Sequence, residues 1–257
     1  MSASTPQSEN VKLKFPQGSD VIFTSYFTSK ENPQLDARGQ RQIVPKNDLN
    51  YIAPWYVSVT HHKMKGVVFH DHLSADFIAQ HETDNLQFIA YHPDRYSLND
   101  ERYLALDAVL KCNRLGKVML TDACDLQIKK NPFDFFVDPN LLYFGTDVEK
   151  MPRIRDNPWC LEKSKEILLT PGLGFSEDFL EFEIVNAGVF GGSYELVKAF
   201  NEGLVSLFHA INNDRNNNMM VINYLLWKLK VPHFKGPPLT SPFKKFDVAG
   251  DYYIVHK

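Results

Sequence analysis

The chain has 257 residues, of which 44% are hydrophobic and 23% are charged, and its formal net charge is −3. This apolar fraction is typical of globular proteins and excludes wholesale disorder and fibrous repeats. The sequence lacks the basic excess of nucleic-acid-binding proteins, and no run approaches 18 consecutive apolar residues, so we expect no nucleic-acid partner and no membrane span.

The first residues are polar and lack the apolar segment of a secretory signal, so residues 1–18 are predicted to form a flexible tail. The cysteines Cys112, Cys124 and Cys160 form neither a CxxC pair nor an even disulfide framework. Such cysteine usage is typical of a reducing compartment. We therefore expect a cytoplasmic protein whose folded part covers residues 19–257.

Short apolar runs alternate with helical patterns along this folded part. Their composition predicts strands over residues 21–27, 66–70, 86–91, 117–121, 141–145, 183–190 and 252–255. Apolar residues spaced by three or four predict helices between them, including one with Asn99 as its N-cap, one over 196–211 and one over 220–227. This alternation indicates an α/β fold in a single domain, with a mostly parallel central sheet flanked by helices. Binding sites in such sheets lie at the carboxyl ends of the strands.

Two aspartates follow the strand predicted over residues 117–121. Asp122 and Asp125 are three positions apart on a turn at the carboxyl end of this strand. Carboxylates this close need a cation to offset their repulsion, and hard oxygen ligands suit Mg²⁺ or Mn²⁺. Such an ion would bridge diphosphate oxygens and stabilise a departing phosphate group. The alternative is a solvent-exposed loop in which both aspartates only cap the turn.

A basic residue, Arg102, follows Asp100 and Glu101 in the first turn of the helix near Asn99. A cation is unfavourable there because the amino end of a helix carries the positive end of its dipole. The position therefore favours an anionic partner, either a phosphate group or Asp122, over a plain surface arginine.

The segment LTDACDLQIKKNPFD resembles the aspartate motif of metal-dependent glycosyltransferases of the GT-A fold, which use nucleotide-sugar donors. Three further segments agree with that class in order and spacing, namely SLNDER at 97–102, VNAGVFGG at 185–192 and NMMVINYL at 218–225. They resemble, in turn, a segment near the nucleotide, an N-[AS]-G-x-x-G strand end and a D-[QM]-x-x-x-N-Y-L helix start. The resemblance implies a GT-A domain over residues 19–257, with a nucleotide-sugar-binding half over about 19–134 and an acceptor half over 135–257.

Two departures from the family pattern concern the catalytic positions. The aspartates form D-x-x-D rather than D-x-D, and Asp125 aligns best with the usual metal-binding aspartate. Asn218 stands where many members of the family carry an aspartate. If that position supplies a general base or a ligand of the acceptor hydroxyl, this chain lacks it. The resemblance thus implies Asp125 and Asn218 as the catalytic positions.

The resemblance also implies where the donor binds. The loop after the first strand surrounds the nucleobase in this family, and the glycines of VNAGVFGG let the backbone approach a ligand closely. The expected cofactor is Mn²⁺ or Mg²⁺. The implied nucleotide-sugar contacts are Thr24, Tyr26, Arg102, Asp122, Asn186 and Gly188.

A histidine from a C-terminal segment commonly completes the metal site in this family. Here His233 and His256 are the two candidates. If the strand over 252–255 runs parallel to its neighbours, its end lies at the same sheet edge as Asp125, which favours His256. A frayed chain end is the alternative interpretation of His256. The implied metal ligands are therefore Asp122, Asp125 and His256.

Together these implications predict a glycosyltransferase that moves a sugar from a nucleotide-diphosphate donor to a hydroxyl group of a carbohydrate or glycoconjugate acceptor. A UDP-sugar is the first choice of donor and a GDP-sugar the second. One alternative is a non-catalytic nucleotide-sugar-binding relative, which Asn218 suggests. Another is a sugar-1-phosphate nucleotidyltransferase, although TSYFTSKENPQ lacks the Gly-rich loop that such an enzyme needs after its first strand.

Overall fold

The computed structural model describes residues 11–31, 43–147, 151–242 and 249–256. Within them the strands are β1 (Val21–Tyr26), β2 (Lys65–His70), β3 (Leu86–Ala90), β4 (Lys117–Thr121), β5 (Leu126–Ile128), β6 (Leu142–Thr146), β7 (Val185–Ser193), β8 (His233–Lys235) and β9 (Ile254–His256). The helices are α1 (Ala53–His61), α2 (Ala75–His81), α3 (Leu98–Cys112), α4 (Pro158–Leu169), α5 (Glu177–Leu180), α6 (Tyr194–Ile211) and α7 (Asn218–Leu229).

Seven strands form one sheet in the order β3-β2-β1-β4-β7-β6-β8. The pairs β1–β2, β2–β3, β1–β4 and β6–β8 are parallel, whereas β7 is antiparallel to both β4 and β6. The prediction of an α/β fold with a mostly parallel central sheet is therefore confirmed. Because β4 and β6 both run opposite to β7, their carboxyl ends lie at the same sheet edge as the amino end of β7. The sheet takes strands from both predicted halves of the chain.

The sheet is covered on both faces by apolar side chains. Val21 and Phe23 of β1 join a buried cluster with residues of α3, α4, α6 and α7. Ile22 and Tyr26 point to the other face and join a second cluster with residues of α1, α2, β5 and β9. Burial of each such large apolar side chain contributes roughly 1.5–3 kcal/mol. Because both faces of the strands are buried, the strands read as continuous apolar runs in the sequence.

The start of α3 differs from the prediction that Asn99 is its N-cap. The helix begins at Leu98, and the hydroxyl of Ser97 accepts a hydrogen bond from the backbone N–H of Asp100 at 3.2 Å. Ser97 is thus the N-cap. The reason is that serine satisfies a free backbone donor from one position before the helix, as asparagine would.

Residues 11–18 contact the folded domain, so the prediction of a flexible tail over 1–18 is wrong for this part. The backbone N–H of Leu13 donates to Asn113 Oδ1 at 2.9 Å, and that of Lys14 donates to Gln87 Oε1 at 3.0 Å. Phe15 is buried in the core. Residues 1–10 lie outside the described part of the chain. None of the helices in the described ranges has the length and apolarity needed to cross a bilayer.

Candidate metal centre and adjoining cleft

Two separate pairings bring distant residues to the turn after β4. The backbone N–H of Asp122 donates to the carbonyl of Gly188 at 2.9 Å, which fixes the turn against β7. Asp125 precedes β5, and β5 pairs with β9 so that Leu126 lies opposite His256. This pairing is antiparallel and lies outside the central sheet, so the condition on which the sequence favoured His256, a last strand parallel to its neighbours in the sheet, is not met. His256 nevertheless lies beside both aspartates.

The side chains of Asp122, Asp125 and His256 form a compact group. The Nε2 atom of His256 is 3.5 Å from Asp122 Oδ2 and 4.0 Å from Asp125 Oδ1. One ligand atom from each residue can be chosen so that all lie within 4.8 Å of one another. Atoms that bind one Mg²⁺ ion at about 2.1 Å are roughly 3–4 Å apart, which is close to this arrangement. The two carboxylates suit Mg²⁺ or Mn²⁺, and the imidazole adds a nitrogen ligand of the kind that first-row transition metals take.

Asp125 has the features expected of a carboxylate that holds a cation. Its Oδ1 atom is buried and has no hydrogen-bond partner among the residues that the structure describes. Burial and the neighbouring charge of Asp122 raise the pKa of Asp125 to about 6. A buried, unpartnered carboxylate oxygen is costly. A divalent cation at this position would satisfy it, so the residues present fit a metal ion.

Asp122 has a partner of its own, the guanidinium of Arg102. Nη1 of Arg102 donates to Asp122 Oδ1, and Nη2 donates to the carbonyl of Ala187 at 2.9 Å. Burial opposes the charge on Asp122, but Arg102 and His256 outweigh it and hold the pKa of Asp122 below its usual range. This ion pair accounts for a cation in the first turn of α3. Asp122 is one of the two partners expected for Arg102.

Gly188 lies against the group formed by Asp122, Asp125 and His256, which we call the metal-ligand group. A Cβ atom at this position would lie 2.6 Å from Asp122 Oδ2 and 2.7 Å from His256 Nε2. These distances are shorter than real carbon contacts, so any side chain would displace the two residues. Glycine is therefore required here for close approach of the backbone rather than for an unusual backbone angle.

The group borders a cleft of about 990 Å³. Volumes of this size are typical of sites for cofactors and other small molecules. Arg102, Asp122, Asn186 and Gly188 line the sheet side of the cleft, and Asn218 lines it from the start of α7. The Oδ1 atom of Asn186 accepts from the N–H of Gly188 at 2.7 Å, and that of Asn218 accepts from the N–H of Met219 at 2.6 Å. The structure thus brings most of the predicted site residues together.

Thr24 and Tyr26 do not belong to this group, and neither lines the cleft. Both side chains are fully buried. Thr24 Oγ1 donates to the carbonyl of Thr121 at 2.9 Å, and Tyr26 Oη donates to the carbonyl of Pro45 at 2.5 Å. Their polar atoms are therefore bonded within the protein, and the prediction that they contact a nucleotide finds no support in this geometry.

The competing histidine, His233, lies in the edge strand β8. Its Nδ1 atom is 2.9 Å from the carbonyl of Val231, and its ring packs against Phe144 and Phe182. The group of possible metal ligands contains His256 and not His233. Of the two histidines, only His256 lies beside the aspartates.

Asp100 has a role behind the cleft that the sequence did not reveal. The backbone N–H of Asn217, the N-cap of α7, donates to both carboxylate oxygens of Asp100 at 3.2 Å. Asp100 is fully buried, and this burial raises its pKa to about 7 despite the hydrogen bonds. One carboxylate on α3 thus caps the helix that carries Asn218. Acidic residues in the first turn of a helix usually suit its own dipole, so the pattern offered no sign of this second role.

This raised pKa predicts that Asp100 lowers the stability of the fold as the pH rises. The folded protein holds the proton up to about pH 7, whereas the unfolded chain releases it near pH 4, so stability is lost across this window. For Asp100→Asn, which cannot ionise, we expect the free energy of unfolding relative to the wild type to rise by up to about 1.4 kcal/mol per pH unit from pH 4 to 7. Urea unfolding at several pH values measures it. Asp76→Asn, at an exposed position of α2, is the control, and parallel curves for Asp100→Asn and wild type would contradict the prediction.

Comparison of the sequence with models of known protein families gives no match, and comparison with curated protein sequences gives none either.

Proposed function

We propose that this protein is a metal-dependent glycosyltransferase that moves a sugar from a nucleotide-diphosphate donor to an acceptor hydroxyl group. The observation that carries the proposal is the group of Asp122, Asp125 and His256 at the carboxyl end of β4, beside a cleft of about 990 Å³. Residues from all four segments that resemble GT-A glycosyltransferases border this cleft or the metal-ligand group. The strand order, with one antiparallel strand beside β4, is compatible with a GT-A fold and supports the proposal.

In this proposal Asp122, Asp125 and His256 hold Mn²⁺ or Mg²⁺. When bound, the ion supplies the positive charge that offsets the diphosphate as it leaves the sugar. Arg102 neutralises part of the charge on Asp122. Its guanidinium also donates to the carbonyl of Ala187, which fixes the guanidinium and so the direction of the Asp122 carboxylate. Asn186 contacts the donor from the sheet edge, and Gly188, whose N–H and carbonyl are bonded to Asn186 and Asp122, lets the donor approach the backbone closely. A UDP-sugar is the proposed donor, and the proposed cellular location is the cytoplasm.

One observation favours a second candidate, a nucleotide-sugar-binding protein without transferase activity. Asn218 lines the cleft at the start of α7, and its side chain offers an amide where members of the resembled family often carry a carboxylate. An amide cannot accept a proton from an attacking hydroxyl group as a carboxylate does. The two candidates share donor binding and differ only in the release of the sugar.

The metal site predicts that UDP binding depends on a divalent cation. Arg102 is already paired with Asp122, so without a metal ion the diphosphate would meet the negative charge of Asp125 and no free guanidinium. We expect the affinity for UDP, measured by calorimetry, to be at least tenfold lower in EDTA than in Mn²⁺, a difference of about 1.4 kcal/mol. Uridine, which has no phosphate, is the control and should bind equally in both buffers. Equal affinity for UDP in both buffers would remove the metal ion from the proposal.

Release of UDP from UDP-sugars then separates the two candidates. The protein with Mn²⁺ is incubated with UDP-glucose, UDP-galactose and UDP-N-acetylglucosamine, and free UDP is measured over time. Slow hydrolysis of one donor is expected of a transferase without its acceptor. If the protein binds UDP tightly but releases no UDP from any of these donors, with or without an acceptor, the result would support the second candidate, a nucleotide-sugar-binding protein.

A further inference from the structure

One part of the cleft wall is formed by the start of α4 and carries an exposed tryptophan. Trp159 is 40% exposed, and it lines the cleft together with Met151, Pro158 and Lys163. An indole ring of this size is usually buried, since it contributes a large apolar surface. Its exposure in a cleft that otherwise has many polar groups favours a ligand with an apolar face.

The position of Trp159 is fixed by the local structure. Asn157 caps α4, and its Oδ1 atom accepts from the N–H groups of Trp159 and Cys160, both at 3.1 Å. Cys160 and Ile167 point into the core and set the rotation of the helix. Trp159 therefore faces the cleft because its neighbours on the helix are anchored. Such a fixed aromatic ring suits the C–H face of a pyranose, which stacks on indole without needing hydrogen bonds from it.

Lys163 follows one helical turn later, and its Nζ atom is 6.0 Å from the centre of the Trp159 ring. The side chain is half-buried, and burial lowers its pKa. It has no ion pair and no hydrogen bond within the described residues. The titratable groups that face it are Glu162, Glu166, Asp100 and Arg215. Glu162 is paired with Lys165 and Glu166 with Arg215, while Asp100 binds the start of α7.

The other cations that line the cleft already have partners. Arg102 pairs with Asp122 and Arg215 with Glu166, while Lys30 donates to the carbonyl of Tyr96 at 2.7 Å. Among the cations of the described cleft wall, Lys163 is thus the one without an ion pair or a hydrogen bond, and its contact is with the ring of Trp159. Partial burial of a cation is costly unless an anion is near. An anionic group on the ligand would pair with Lys163 beside the ring that Trp159 offers.

We propose that the acceptor is a saccharide with a carboxylate or phosphate group, whose sugar ring stacks on Trp159 and whose acidic group pairs with Lys163. The assignment of this subsite to the acceptor rests on the proposed transferase function. It places the donor at the sheet edge with Asp122 and Gly188, and the acceptor against α4. A uronic acid and a phosphorylated sugar offer the same recognition chemistry here.

Matched pairs of saccharides test this subsite. The probes are methyl glucuronide with methyl glucoside, methyl galacturonide with methyl galactoside, and the 6-phosphates of glucose and galactose with the unmodified sugars. Binding is measured by calorimetry in low salt, with and without UDP and Mn²⁺. We expect at least one acidic probe to bind at least tenfold more tightly than its neutral counterpart. The carboxylate and phosphate arms distinguish the two sources of the negative charge.

Variants on α4 assign the preference to its residues. Lys163→Gln should abolish the preference for the acidic probe, whereas Lys165→Gln, on the same helix and paired with Glu162, should keep it. Trp159→Ala should weaken both members of each pair, and Trp159→Phe should restore most of the affinity. UDP binding in Mn²⁺ should be unchanged in Lys163→Gln.

Three outcomes would overturn the proposal. The first is that no acidic probe binds more tightly than its neutral counterpart, and the second is that the preference survives in Lys163→Gln. The third is that Lys163→Gln weakens UDP binding and leaves saccharide binding unchanged, which would assign Lys163 to the donor diphosphate. A preference for acidic saccharides in a protein that does not bind UDP would keep the subsite and contradict the transferase function instead.

Discussion

Asp125→Asn is expected to abolish metal-dependent donor binding and to leave the fold at least as stable as the wild type. The carboxylate lies partly buried beside Asp122, and its buried Oδ1 atom has no hydrogen-bond partner among the described residues. Removal of its charge relieves repulsion in the metal-free protein and takes away a ligand from the proposed metal site. Calorimetry of UDP in Mn²⁺ should show an affinity no higher than that of the wild type in EDTA. Thermal unfolding in EDTA should show a Tm equal to or above that of the wild type.

Asp122→Asn is the matched control, because it should lower both metal-dependent donor binding and the stability of the fold. It also removes a proposed metal ligand, but it leaves the buried guanidinium of Arg102 without its carboxylate partner. Loss of one member of a buried ion pair is strongly destabilising. Because Asp122 is partly exposed, we expect a loss of about 2–3 kcal/mol in the free energy of unfolding. If Asp125→Asn instead binds UDP with wild-type dependence on Mn²⁺, then Asp125 is not a metal ligand.

Gly188→Ala is expected to weaken Mn²⁺-dependent UDP binding about 100-fold, or about 2.8 kcal/mol. The added Cβ would overlap Asp122 Oδ2 and the imidazole of His256, so these two ligands would move apart. The effect should be confined to metal-dependent binding, which calorimetry with UDP and uridine separates. Loss of uridine binding as well would indicate wider damage to the cleft.

Gly174→Ala is the control for this substitution. A Cβ atom at Gly174 would meet no other atom within 4 Å, so it changes backbone freedom without a steric overlap. We expect wild-type UDP affinity for it. Wild-type affinity in Gly188→Ala would mean that the metal site tolerates the overlap or that the ion binds elsewhere.

Local sequence patterns predicted the elements that depend on neighbouring residues. The strand ahead of Asp122 was recognisable because buried parallel strands are continuous apolar runs. The burial of Thr24 and Tyr26 could not be recognised from the sequence. A hydroxyl group that binds a ligand and one that bonds to the backbone have the same sequence pattern. The position of Ser97 as the N-cap was within the error of two residues that helix boundaries usually carry.

His256 shows the limit of such reasoning most clearly. The sequence analysis placed it near Asp125 on the assumption of a parallel strand in the central sheet. In the structure His256 also lies near Asp125, but it is placed there by the antiparallel pairing of β5 with β9. The pairing partner of a three-residue strand depends on distant contacts, including the bond between Ser241 Oγ and the backbone of His256 at 2.9 Å. No local pattern encodes that choice.

Because the pairing of β5 with β9 is short, the candidate ion would stabilise this pairing in addition to acting as a cofactor. Side chains alternate along a strand, so a slip of one residue would replace His256 with Val255 at the metal group. An ion that binds only the correct pairing stabilises it by about 2.7 kcal/mol at a concentration 100 times its dissociation constant. Occupancy of the site and the alignment of β9 are then thermodynamically linked. Protection of the β9 backbone from hydrogen exchange would accordingly report metal binding without any nucleotide present.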